Sequence, residues 1–301
     1  MAPRLLFFVG KGGVGKSTLS ALTALAQADA GRQVLLLSLD PAHNQSDLFG
    51  RDFGDTPLPV DSRLSVMEAD IGSWITRYLK EVRRNVEESY TYLTAFNLEQ
   101  HFRVLRHSPG LEEFALQRVL ERRLREDQQL DTIVVDMPPT ALTTRFFASP
   151  SLTRSWTEQL LALRRSIRDQ RAMITNIKVG KREIEQDRVL RILETDLEHN
   201  RELEARYADR SHSAVQLVLN PDSLSWREGR RLREKLAELG IQPAAIVMNK
   251  AVDSTPLPPP EFSDLPLISI PSLLSPPIGE KALRTCLSGL TESTRGSLAS
   301  L

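Results

Sequence analysis

Nine residues near the start of the chain, Gly10-Lys11-Gly12-Gly13-Val14-Gly15-Lys16-Ser17-Thr18, restrict what it can become more than any other stretch. They fit the frame G-x-x-x-x-G-K-[ST]. The apolar run Leu5-Leu6-Phe7-Phe8-Val9 precedes them, and an alanine- and leucine-rich segment ending at Gly31 follows. Strand, glycine loop and helix is the context in which this frame cradles phosphate. Glycines carry no Cβ, so the backbone can turn its N–H groups inward and come close to phosphate oxygens. The helix behind the loop aims its unpaired N–H groups and positive end at the same anion. In that arrangement Lys16 reaches the β- and γ-phosphates and the Ser17 hydroxyl ligates Mg²⁺. A plain glycine turn would need none of these residues at this spacing.

Composition narrows the setting. With 301 residues the chain can bury about three quarters of its unfolded surface, as one domain or one domain with an insert. Lys+Arg and Asp+Glu both number 39, so no net field favours nucleic acid or an anionic membrane. The opening apolar residues lead directly into the glycine loop, unlike a secretory leader. No run approaches the roughly eighteen apolar residues of a membrane span. Cys286 is the single cysteine, which excludes an internal disulfide and a multi-cysteine metal cluster within one chain. The expectation is a cytoplasmic protein, not integral to a membrane and without a nucleic-acid partner.

Seven apolar runs read as strands, several ending in a polar residue: Leu5–Val9, Gln33–Asp40, Leu64–Asp70, Asp131–Asp136, Ala214–Asn220, Ala244–Asn249 and Leu265–Ile270. Helical segments separate most of them, which predicts an α/β fold with a mostly parallel, roughly seven-stranded sheet and crossover helices. Asp40, Asp136, Asn220 and Asn249 then gather at the C-terminal edge of the sheet, where ligands bind in such folds. Two connections, about 72–128 and 151–210, exceed what a crossover needs. They read as an inserted helical layer within a single domain spanning 1–301. The first carries Trp74, Ile75, Tyr78, Leu79 and Val82 at helical spacing, and the second includes a helix over Arg188–Tyr207. Such a layer either thickens the core or forms a lid or client surface. Thr255–Pro260 reads as a stiff connector, and the arginine-rich pieces Arg118–Arg125 and Arg164–Arg171 read as solvated helix faces.

After the second strand comes Asp40-Pro41-Ala42-His43-Asn44-Gln45-Ser46-Asp47-Leu48-Phe49. It resembles the switch I signature D-P-A-H-x-x-S-D-x-F of the ArsA/Get3 family, the arsenite-pump and tail-anchored-protein targeting ATPases. A carboxylate at that strand end can order a water in line with the γ-phosphate, which gives Asp40 the catalytic role. Asp136-Met137-Pro138-Pro139-Thr140-Ala141-Leu142-Thr143-Thr144-Arg145-Phe146 occupies the place of the family's switch II, with Ala141 and Leu142 where relatives have Gly-His. Asp136 takes the position that holds Mg²⁺ through water. Arg145 is kept, though an ordinary ion pair would account for it equally. Weaker likenesses extend along the chain. Ser108–Glu113 resembles the P-G-x-x-E segment near the switches, and Asn249 resembles the asparagine that reads the adenine edge. Pro271–Pro277 resembles the proline-rich loop over the adenine, and Asp222 falls where relatives reach toward the nucleotide with a glutamate.

The resemblance implies a Mg²⁺-dependent P-loop ATPase, binding ATP in a homodimer or in a heterodimer with a related ATPase. The string G-K-G-G-V-G-K-S-T is similar to deviant Walker A loops, in which a lysine at the position of Lys11 serves a phosphate across the subunit boundary, and this reading is favoured over a solvated side chain at the loop edge. The helical layer would change conformation with the nucleotide and bind a hydrophobic client or a membrane-protein partner. Cys286 alone cannot form a metalloid site, which disfavours arsenite. The charged 151–210 segment, with Met173 its only methionine, argues against a methionine-lined groove. A ParA/MinD-like spatial organiser and a nucleotide-gated binding module with little turnover stay open as alternatives.

Overall fold

Five consecutive apolar residues, Leu5 to Val9, can all be buried only in a strand covered on both faces. In a computed structural model describing residues 2–89, 105–106, 108, 110–175, 188–252, 258–273 and 275–301, they form the middle of the sheet and are inaccessible to solvent. β1 (Arg4–Val9) runs parallel to β5 (Thr132–Asp136) on one side and to β6 (Ser213–Leu219) on the other. With β2 (Val34–Ser38), β3 (Leu58–Pro59), β4 (Leu64–Glu68), β7 (Ala245–Ala251) and β8 (Leu267–Pro271), the spatial order is β3-β4-β2-β5-β1-β6-β7-β8.

All seven expected strands are present, and the eighth, β3, was not foreseen. It is two residues long, too short to show a period, and it pairs antiparallel with Ser65 and Val66 of β4. Pro59 has no N–H to donate, which suits an edge strand alone.

The chain divides into two compact units: Met1–Ile75, Glu112–Phe147 and Tyr207–Leu301 form the first; Thr76–Leu111 and Ala148–Arg206 form the second. In the first unit, α1 (Lys16–Asp29) is buried along most of its length. Leu19, Leu22, Leu25 and Ala26 share one core with Leu6 and Phe8 of β1 and with Leu283, Leu287 and Leu298. The last three belong to α8 (Glu280–Gly289) and α9 (Glu292–Ser300). Each fully buried leucine here stabilises by about 1.5–3 kcal/mol. Strand side chains alternate between faces, so Phe7 points away from Phe8. It meets Phe146, Phe147 and Tyr207, with its ring centroid 5.0–6.2 Å from theirs. Trp74 and Ile75, at the start of α3 (Ile71–Ser89), are buried, whereas Tyr78, Leu79 and Val82 are half-buried, as their spacing predicts. The remaining helices of this unit are α2 (Asn44–Phe49), most of α4 (Leu111–Glu126), the start of α5 (Thr140–Thr175), and α7 (Ser223–Glu238).

In the second unit, α5 and α6 (Arg188–Ala208) lie antiparallel. Arg154 pairs with Glu204 at 2.8 Å and Arg165 with Glu194 at 3.0 Å, while Leu161 and Leu203 are buried. α5 exposes Leu152, Trp156, Leu160 and Leu163. The expectations for 90–104, for 176–187, for Pro109, for Thr255–Leu257 of the connector and for Leu274 of the proline-rich loop fall outside the described residues.

Candidate nucleotide site

The loop between β1 and α1 is shaped by three glycines. Gly13 and Gly15 have φ of 81° and 95°, the left-handed region that side-chain-bearing residues avoid. A Cβ on Gly10 would lie 2.4 Å from the Val218 carbonyl oxygen of β6, and one on Gly15 would lie 2.2 Å from Asn249 Nδ2. Gly15 is the N-cap of α1 and no side chain caps that helix, which leaves its first N–H groups to an anion. Lys16 is buried and folds back, its Nζ 3.4 Å from the Lys11 carbonyl oxygen. Gly12 and Gly13 are exposed, Val14 is buried, and Ser17 and Thr18 are half-buried in the first turn of α1.

Asp40 and Asp136 arrive at this loop from neighbouring strands, since β2 and β5 pair with Ser38 opposite Asp136. Asp40 is buried, and its Oδ1 accepts the Ala42 N–H at 3.1 Å, which fixes the turn that follows. Asp136 is fully buried, and burial pushes its carboxyl up to about 6; the nearby Asp40 charge adds to this, and the neighbouring Ser17 hydroxyl, the Gln45 amide and the Lys16 charge act against it. Its Oδ1 has no hydrogen-bond partner. A buried carboxylate with one bare oxygen beside a serine hydroxyl is a hard-oxygen donor set that suits Mg²⁺.

Two residues that sequence reasoning did not single out tie these parts together. Gln45 Nε2 donates to Asp136 Oδ2 at 2.9 Å and to the Ser17 carbonyl at 3.1 Å. Glu68, at the end of β4, accepts the N–H groups of Gln45 and Ser46 at 2.7 and 3.0 Å and the Ser46 hydroxyl at 2.6 Å. It thereby caps α2 from a distant strand, favourably placed at the positive end of that helix. Asn44 Nδ2 reaches Ser17 Oγ at 3.4 Å. α2 is bounded by left-handed residues at both ends, His43 with φ of 51° and Gly50 with φ of 64°. Gln45 fell on an unspecified position of the switch signature. The one available sign was a long polar side chain beside the helix start.

Other expected residues lie as follows. Asn249 is buried beneath the loop, its Nδ2 donating to the Val14 carbonyl at 2.8 Å and its Oδ1 accepting from Lys250 N–H at 3.0 Å. Asp222 caps α7, its Oδ1 accepting the Ser225 N–H at 2.8 Å. Pro271 is exposed at the end of β8, in register with Ala251. Lys11 is half-exposed, with Nζ 3.8 Å from Glu228 Oε1 on α7. Arg145 Nε pairs with Glu113 Oε1 at 2.6 Å, joining the segment after Asp136 to the one resembling P-G-x-x-E. Among the described residues no helix is long and apolar enough to cross a membrane.

Comparison with known proteins places the chain in a family. A family profile described as anion-transporting ATPase matches residues 3–262. The putative arsenical pump-driving ATPase 2 of Aquifex aeolicus is 29% identical over 255 residues, covering 84% of this chain and 82% of that protein. The putative arsenical pump-driving ATPase 1 of the same organism is 27% identical, and there the match covers 83% of this chain and 63% of the relative. The ATPase GET3 of Malassezia globosa is 30% identical over 257 residues, covering 85% of this chain and 73% of that protein. With a profile match over most of its length and a glycine loop set on a mostly parallel sheet, this chain belongs to the anion-transporting ATPase family.

Proposed function

We propose that the chain is a Mg²⁺-dependent ATPase of the ArsA/Get3 type, working as a dimer and coupling ATP binding and hydrolysis to a conformational change in its helical unit. The observation that carries this reading is the convergence of Gly10–Thr18, Asp40 and Asp136 at the C-terminal ends of β1, β2 and β5. The N–H groups of the loop and of α1 bind the phosphates, and Lys16 offsets charge on the transferred phosphoryl group. Ser17 and Asp136 are the residues that would hold Mg²⁺, which when bound neutralises charge on the β- and γ-phosphates. Asp40, anchored through Oδ1, keeps its second oxygen for the attacking water and acts by orienting it and accepting its proton.

Lys16 folds back toward the loop, whereas Lys11 extends toward Glu228 on α7. Its half-exposed ammonium supports service to a phosphate of the partner subunit, a contribution worth roughly 10³ to 10⁵ in rate when a cation is supplied in this way. The partner is a second copy or a related ATPase. The apolar row Leu152, Trp156, Leu160 and Leu163, on the helix that begins four residues after Asp136, supports a hydrophobic client or membrane-protein partner for the helical unit. The protein acts in the cytoplasm and has no nucleic-acid partner. Asp40→Asn tests the central assignment: turnover should fall below detection while ATP binding stays within about threefold of wild type. Undiminished turnover would remove Asp40 from the mechanism.

A further inference from the structure

The amide of Gln45 stands between three acceptors. Nε2 lies 2.9 Å from Asp136 Oδ2, 3.1 Å from the Ser17 carbonyl oxygen and 3.2 Å from Ser20 Oγ. A carboxylate and a carbonyl can only accept, and the Ser20 hydroxyl already donates to the Ser17 carbonyl at 2.9 Å, so its oxygen also accepts. A flipped amide would set its carbonyl oxygen against the carboxylate and the carbonyl, neither of which can donate, and this fixes the orientation. The side chain is fully buried, and Gln45 Oε1, like Asp136 Oδ1, has no hydrogen-bond partner. Two hydrogen-bonded side chains therefore each keep one buried acceptor without a donor. A hydrated divalent cation would supply what both lack, positive charge for the carboxylate and O–H donors for the amide oxygen.

We infer that Gln45 is a positioning residue that holds the Asp136 carboxylate in one orientation for the divalent cation and links that site to the loop following Asp40. The inference rests on the nucleotide–metal reading above. A neutral amide suits the task because it orients the carboxylate without neutralising it; a lysine or arginine there would compete with the cation. The link to the loop is covalent and short. Gln45 lies in the first turn of α2, five residues after Asp40, with its own N–H fixed by Glu68 at 2.7 Å. A change at Asp136 thus acts on α2 through a single side chain, against an anchor on β4. A Gln45 that only fills space between α1 and β5 would affect stability and leave metal dependence alone.

The test uses the full chain with Mn²⁺ as the probe and ADP as the nucleotide. Mn²⁺ binding is followed by electron paramagnetic resonance, and a fluorescent ADP analogue reports nucleotide affinity in EDTA. Gln45→Met keeps the volume and removes both hydrogen-bonding atoms; Gln45→Asn keeps the amide one methylene short and carries the same test if the first variant fails to fold. Either should weaken Mn²⁺ binding about 10- to 100-fold, the usual effect of losing a group that orients a metal ligand, with metal-free nucleotide affinity changed by less than about twofold. In an Asp136→Asn background, Gln45→Met should cause no further loss of Mn²⁺ affinity. Unchanged Mn²⁺ affinity in the single variants, or the full loss added on top of Asp136→Asn, overturns the role of Gln45. Absence of nucleotide-dependent Mn²⁺ binding in the wild type would instead overturn the metal site itself.

Discussion

Replacing Gly15 by alanine should destabilise the protein through two separable effects. Alanine at φ of 95° costs about 1–2 kcal/mol in backbone strain. Its Cβ would also sit 2.2 Å from Asn249 Nδ2, so the asparagine must withdraw and give up its 2.8 Å bond to the Val14 carbonyl. Leaving that buried carbonyl unpaired costs about 1–3 kcal/mol more, for a total of about 2–5 kcal/mol. Asn249→Ala alone should cost the second part. The double variant should then cost less than the sum of the singles by about 1–3 kcal/mol, because the same hydrogen bond cannot be lost twice. Denaturant unfolding of the nucleotide-free protein in EDTA measures all three values. Additivity within about 0.5 kcal/mol would refute the argument that Asn249 braces the loop at Gly15.

Lys11→Ala should lower ATP turnover far more than ATP affinity; equal losses in both would indicate a phosphate contact within one chain. The pH dependence of metal-free stability should carry the signature of Asp136. Its folded carboxyl titrates near 6 against an ordinary value near 4, so the folded state keeps a proton that the unfolded state releases in between. Stability is then greatest below that window and falls by about 3 kcal/mol as pH rises through it. Asp136→Asn should remove this component, seen as a flatter curve in unfolding experiments from pH 4 to 7; a curve parallel to wild type would contradict it.

Much of the fold could be read directly because parallel strands buried on both faces are continuous apolar runs, and Leu5–Val9, Val34–Ser38 and Thr132–Asp136 are of that kind. The glycine loop was equally plain, since Gly10 and Gly15 answer to steric demands that only glycine meets. What stayed hidden depends on partners far away in the chain. Glu68 could be read as the end of a strand, but its capping of α2 appears only once β4 lies beside β2 with Glu68 opposite Ser38. Asn249 ends an apolar strand, and the bond from its amide to a carbonyl 235 residues away follows only from the fold. Asp222 caps the start of α7 through its bond to Ser225 N–H. In both cases a short polar side chain met the nearest unpaired backbone group, a choice that sequence spacing does not encode.

The left-handed residues on either side of α2 bear on how signals could leave the site. A six-residue rod bounded by two such corners can tilt by rotating a peptide plane at one of them, and only at the expense of the bonds that Glu68 makes to its first turn. One corner is glycine, which adopts its φ without strain and is held by its N–H to the Asp47 carbonyl; the other is His43, which relaxes when it leaves φ of 51°. Of the two ends of the helix, the strained one thus lies nearer Asp40, three residues away along the chain.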